Sequence, residues 1–177
     1  MIESFHYSLQ ELPRRYSFSE YRRRLVAQGT PLHTVVNGDE IGLQRSCGQY
    51  TLLATHYDYF DGCHHWIYLL DQNGRPVDQV SMPDQFGFIQ DVEVVAQDEV
   101  AFGYFGTNDR WNVSVSERGF YSYELSAMSR RLNRFFFSKR RLDVRRALGA
   151  PWSLPAPDNS IERADAEKPA SAAHVER

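Results

Sequence analysis

At 177 residues, with 42% hydrophobic and 14% aromatic residues, the chain is long enough for one well-filled domain and too short for two unless both are small. No run reaches the roughly 18 apolar residues a spanning helix needs, and the opening Met1 to His6 has neither the basic nor the apolar part of a signal peptide. A soluble, cytoplasmic protein is the expectation, and Cys47 and Cys63, too few for a disulfide framework and without zinc spacing, read as thiols.

The first 16 residues carry scattered apolar positions ending at Pro13, which suggests an extended arm. Ser17-Phe18-Ser19-Glu20 has the form of a capping box, and Phe18, Tyr21 and Leu25 lie at helical spacing. A helix is expected to run to about Gln28, ended by Gly29 and Pro31, with Arg22, Arg23 and Arg24 on its solvated face. From His33 the period becomes that of strands. His33 to Val36 and Glu40 to Gln44 flank Asn37-Gly38-Asp39, the pattern of a hairpin. Strands follow at Tyr50 to Tyr59, His65 to Leu70 and Arg75 to Val80, then at Phe88 to Val95, Glu99 to Phe105, Arg110 to Ser116 and Gly119 to Leu125. Beyond these, Leu125, Met128, Leu132, Phe135 and Phe136 recur at helical spacing, and a second short helix is expected from about Asp143 to Leu148. Residues 155–177 are polar and aperiodic and read as a disordered tail behind a single domain over 1–154.

The strand region contains an internal echo. At an offset of 45 positions Tyr59, Phe60, Trp66, Gly74 and Ser81 fall on Tyr104, Phe105, Trp111, Gly119 and Ser126 without a gap, giving copies at about 46–81 and 91–126. Each copy resembles a blade of a β-propeller in length and aromatic content, but two copies cannot close a ring that needs about four or more. The expected architecture is therefore α+β, mainly β: an antiparallel meander forming an open sheet or sandwich, packed by N- and C-terminal helices.

The net charge of −3 conceals a segregation. Residues 46–109 hold ten carboxylates against Arg75 alone, whereas 110–149 hold ten Arg or Lys against Glu117, Glu124 and Asp143. An acidic sheet with interleaved aromatics repels phosphate and suits a basic protein, with aromatics as buried anchors. On this ground Asp58, Tyr59, Phe60, Asp61, Asp84, Asp91 and Glu93 are the candidate partner-binding residues. The concrete form of this expectation is a non-catalytic immunity or inhibitor protein for a basic toxin, such as a nuclease, in a bacterium. The alternative use of the acids is as solubilising charges neutralised by the chain's own basic segment. That segment, with Arg130, Arg131, Arg134, Lys139, Arg140, Arg141, Arg145 and Arg146, raises a further alternative, nucleic-acid binding by basic helices.

One cluster has the chemistry of a metal site. His56, Cys63 and His65 lie close in sequence beside Asp58, and strand geometry places His56 with Asp58, and Cys63 with His65, on common faces. Imidazole with thiolate or carboxylate suits zinc, and a metal-dependent enzyme or metal sensor using the His56 to His65 cluster is the first alternative function. The second copy has no counterpart, so the hairpin does not require these residues. No Gly-x-Ser-x-Gly elbow, phosphate-binding glycine loop or His-Glu-x-x-His occurs, and no catalytic residue is assigned.

Overall fold

The computed structural model describes residues 2–3, 6–12, 21–60, 62–82, 87–121 and 139–147. Twelve strands fill most of these segments: β1 (Ile2–Glu3), β2 (Tyr7–Glu11), β3 (Arg22–Ala27), β4 (Thr30–Asn37), β5 (Glu40–Cys47), β6 (Tyr50–Tyr59), β7 (Gly62–Leu70), β8 (Pro76–Ser81), β9 (Ile89–Ala96), β10 (Glu99–Tyr104), β11 (Arg110–Tyr121) and β12 (Lys139–Ala147). They form three antiparallel sheets, in the orders β1-β5-β6-β7-β8, β12-β11-β10-β9 and β2-β3-β4.

The five-stranded sheet is the middle layer. One face carries Leu52, Ala54, Ile67 and Leu69, which pack with Val100, Phe102, Tyr104, Trp111, Val113, Leu142 and Val144 of the four-stranded sheet. The other carries Leu53, Tyr68 and Leu70, which pack with Leu25 and Val36 of the three-stranded sheet. Burial on both faces explains why β6 and β7 read as nearly continuous apolar runs rather than strict alternations.

Two expected helical segments are strands where they are described. Arg22–Ala27 is β3, paired to both β2 and β4. A register shift between Arg24 and Val26 lets the consecutive Leu25 and Val26 both be buried, which removes the alternation a strand normally shows. Asp143 to Ala147, expected as a short helix, belongs to β12. Its Arg140, Leu142 and Val144 are buried in strict alternation with more exposed neighbours. Among the described residues no helix occurs, and the layer over the middle sheet is the three-stranded sheet. The expected helical stretch over Leu125 to Phe136 and the tail from 155 lie outside the described residues.

The expected hairpin at Asn37-Gly38-Asp39 is a crossing between sheets instead: β4 pairs with β3, and β5 with β1 and β6. The middle sheet holds this corner. Thr55 Oγ1 donates to the Asn37 carbonyl at 2.5 Å, the Asn37 amide donates to the Tyr68 hydroxyl at 2.9 Å, and the Asp39 amide donates to the His56 carbonyl at 2.9 Å. Gly38 sits at φ +100°, and a Cβ there would lie 2.7 Å from Thr55 Cβ, so the position demands glycine twice over.

The two sequence copies give two antiparallel hairpins, β6–β7 and β10–β11, with different registers: Trp66 stands opposite Thr55, Trp111 opposite Phe102. Their tryptophans also face different cores, Trp66 toward the three-stranded sheet and Trp111 into the sandwich. Gly74 and Gly119 share a positive φ, +70° and +69°. The first is in the β7–β8 turn. The second lies within β11, which runs on where two strands were expected, with a register shift between Val115 and Phe120.

Candidate interaction surface at the β6–β7 hairpin

Beyond the edge of the three-stranded sheet, the distal half of β6–β7 carries different chemistry on its two faces. The inner face brings together the residues proposed from sequence as metal ligands. His56 stands opposite His65, and Asp58 opposite Cys63. Cys63 and His65 are fully buried and His56 nearly so. The histidine rings lie 5.6 Å apart, Phe88 meets His56 edge-on at 5.1 Å, and Tyr104 lies 4.5 Å from His65. His65 Nε2 donates to the Gly87 carbonyl at 3.1 Å, which fixes its tautomer, and His56 Nε2 is 3.4 Å from the exposed carboxylate of Glu40. Among the described residues no three His, Cys, Asp or Glu side chains converge where they could share an ion. Neither Cys47 nor Cys63 is in a disulfide, and both are buried. Burial pushes the Cys47 thiol up, with the carboxylate of Asp98 adding to the effect.

Tyr104 closes this inner unit. Its hydroxyl is buried and has no hydrogen-bond partner among the described residues, and burial, followed by nearby Cys63 and Asp109, holds its pKa far above the ordinary tyrosine value.

The outer face is an aromatic surface. Tyr21 stacks on Trp66 at 5.7 Å with ring planes 10° apart and meets Tyr57 at 6.0 Å, while His64 packs against Trp66 at 4.4 Å. His64 Nε2 and Ser81 Oγ share a hydrogen bond of 2.7 Å. The corner at Gly38 sets this stack, because the Gly38 amide donates to the Tyr21 carbonyl at 2.5 Å and thereby ties Tyr21 beside the middle sheet. At the tip, Tyr59 lies over Gly62, whose Cβ, were there one, would be 2.9 Å from the Tyr59 hydroxyl. Phe60 is fully exposed, at 107% of its reference area.

Of the residues expected to bind a partner, Asp58, Tyr59 and Phe60 come together at this tip, with Asp58 exposed. Asp91 is exposed in β9 at φ +51°, a conformation asparagine and aspartate tolerate. Glu93 stands apart. It lies opposite Ala101 and forms an ion pair with Arg110, which is opposite Gly103, so the pair spans the small residues of β10. Asp61 and Asp84 lie outside the described residues.

Part of the acidic charge is answered by the chain's own basic segment. Arg146 pairs with Asp109 and Arg110 with Glu93, while Arg145 pairs within the basic segment with Asp143 at 2.6 Å. Arg141 donates to the Glu117 carbonyl and places its guanidinium 5.3 Å from the centre of the Tyr50 ring. The arginines of β12 therefore stand on a strand of the sandwich, with Arg140 buried and Arg145 and Arg146 exposed. Among the described residues no Lys or Arg forms an ion pair with Asp39, Asp58 or Asp91.

Sequence reasoning did not select Phe88 and Phe105, which are 47% and 66% exposed near the same hairpin end. A signal for Phe105 was present, since it is the counterpart of Phe60 at the 45-residue offset. At the opposite end of the sandwich an open groove of about 680 Å³ is lined by Cys47, Asp98, Glu117, Arg118 and Asp143, without a buried polar group pointing to a ligand.

No protein-family model matches this chain, and comparison with curated proteins and with solved structures likewise gives no match.

Proposed function

We propose that this chain is a non-catalytic binding module that engages a basic protein through the distal β6–β7 hairpin. The observation that carries the reading is the tip itself: a fully exposed Phe60 beside exposed Asp58, at the end of a hairpin whose outer face carries Tyr21 stacked on Trp66 beside Tyr57. Large aromatics serve as interface anchors when a partner desolvates them, and unpaired carboxylates around them select a cationic partner and speed its encounter. The tight pairing of the hairpin supports such a surface, because a rigid scaffold lowers the ordering cost of binding. An inhibitor of a basic toxin is the concrete form that fits a cationic partner.

The test is titration of the purified chain with a short peptide of alternating lysine and leucine, followed by fluorescence anisotropy at low and near-physiological salt. Binding that weakens with salt, and that falls severalfold in Asp58→Asn, is the expected result. Absence of binding at low salt, or binding unchanged by Asp58→Asn and by salt, would dismiss the reading.

A further inference from the structure

Among the described residues the exposed phenylalanines are not scattered. Phe60, Phe88 and Phe105 belong to three different segments, and each stands at the same end of the sandwich. Three contacts locate them. The Phe105 amide donates to the Phe88 carbonyl at 2.9 Å, which ties the end of β10 to the start of β9. Phe88 packs edge-on against His56, opposite His65, and Tyr104, the residue before Phe105, packs on His65. Phe60 then lies four residues beyond His56 on the same hairpin, about 13 Å further out at strand rise.

The charges at this end are arranged unequally. Asp39 and Glu40 lead into β5, and Asp58 precedes the β6–β7 tip; Glu40 is exposed and stands opposite His56 in the register. Asp91 is exposed near the start of β9. The two described arginines closest to Phe105 along β11 and β12, Arg110 and Arg146, are engaged by Glu93 and Asp109. The apolar end is therefore flanked by carboxylates of which Asp39, Asp58 and Asp91 form no ion pair with Lys or Arg among the described residues, with Arg22, opposite Asn37, as a cation at the corner beside Tyr21.

We infer that Phe60, Phe88 and Phe105 form the apolar contacts of a single interface, spread over both sheets, that takes a basic protein presenting hydrophobic side chains among its cationic ones. This deepens the function proposed above and rests on it. The charge distribution decides between occupants. A second copy of the chain would set one acidic rim against another, and an anionic bilayer would be repelled by the same carboxylates, whereas a cationic protein gains at the rim and buries the phenylalanines. Participation of both hairpins also gives the 45-residue sequence echo a role, since it places a phenylalanine after the conserved-pattern tyrosine in each: Tyr59-Phe60 and Tyr104-Phe105.

The experiment measures binding of the lysine–leucine peptide to the wild-type chain and to Phe60→Ala, Phe105→Ala and the double variant, with a glutamate–leucine peptide and phosphatidylserine-containing vesicles as parallel arms. Each phenylalanine is more than half exposed at positions 60 and 105, so the variants should keep the wild-type melting temperature, and circular dichroism verifies this for each. The expected result is at least about a tenfold loss of peptide affinity for either single variant, a larger loss for the double, and no binding in the parallel arms. If Phe60→Ala weakens binding and Phe105→Ala does not, the two-hairpin interface is overturned while the hairpin reading stands. If the wild-type chain binds no lysine–leucine peptide, both fall. Phenylalanine-dependent binding to the vesicles would overturn the protein partner in favour of a lipid surface.

Discussion

Asp78 on β8 and Leu142 on β12 join two sheets that share no ladder: Oδ2 of Asp78 accepts the Leu142 amide at 2.7 Å and the Arg141 amide at 2.6 Å. A side chain thus satisfies main-chain donors on β12, the edge strand of the four-stranded sheet among the described residues, and it does so from the edge of the middle one. Asp78→Ala would remove the carboxylate acceptor of two partly buried amides. It should lower stability by about 1–3 kcal/mol, read as a shift in the denaturant midpoint without a change in slope. A variant as stable as wild type would show that this seam contributes nothing.

The two buried tyrosines make stability sensitive to alkali. Tyr68 is pushed up to about 12, chiefly by burial and against the opposing effect of the Asn37 amide, and Tyr104 is raised in the same direction. In the unfolded chain both lose their protons near pH 10, whereas the folded state retains them, so the folded state binds more protons above that pH. Their contribution is fully present below pH 10 and declines as pH rises from about 10 through 12, by about 1.4 kcal/mol per pH unit for each group. Chemical denaturation across this range should show that slope, and Tyr104→Phe should make it shallower.

At neutral pH the two tyrosines should behave differently. Tyr104→Phe removes a buried hydroxyl with no hydrogen-bond partner among the described residues and is expected to be neutral or stabilising. Tyr68→Phe leaves the Asn37 amide without its acceptor at the sheet-crossing corner and should cost about 1 kcal/mol or more. Equal effects in thermal melts would contradict this account of the corner.

Both thiols should be inert in the native state. Cys63 is fully buried and Cys47 is 5% exposed with its thiol pKa raised, and neither is in a disulfide. A chromogenic disulfide reagent at pH 8 should therefore react with both only at the rate of unfolding, and with two equivalents in denaturant. Rapid reaction of one thiol in the folded chain would show that its strand opens locally.

The strands of the middle and four-stranded sheets were largely legible because alternation and turn residues agree along Tyr50 to Tyr104. Tyr50 to Tyr59 matches β6 residue for residue, and the turn at Gln97-Asp98 separates β9 from β10. The misread elements are the arginine-rich ones. In β3 the helix signal at Phe18, Tyr21 and Leu25 gave way to pairing on both sides, and the adjacent burial of Leu25 and Val26 hid the strand period. In β12 the period was present at Arg140, Leu142 and Val144, but the Gly149 and Pro151 that follow resemble a helix stop. The sheet crossing at Gly38 could not be read locally, because Asn-Gly serves a hairpin equally well; the deciding contacts come from Thr55 and Tyr68, far along the chain.

For the site, strand parity correctly grouped His56 with Asp58 and Cys63 with His65, and the register set the pairs against each other. What the sequence lacked was depth: it did not show that His56, Cys63 and His65 are buried against Phe88 and Tyr104. Glu93 shows the same gap, since only the three-dimensional pairing with Arg110 removes it from the open acidic charge.

The most direct test of the central claim is a backbone amide spectrum of the isotopically labelled chain titrated with the lysine–leucine peptide, because it locates binding without presuming any residue. Perturbations are predicted to centre on 57–60, 62–64, 87–91 and 104–106. Perturbations centred instead on the groove lined by Cys47, Glu117 and Asp143, or a spectrum unchanged by the peptide, would contradict it.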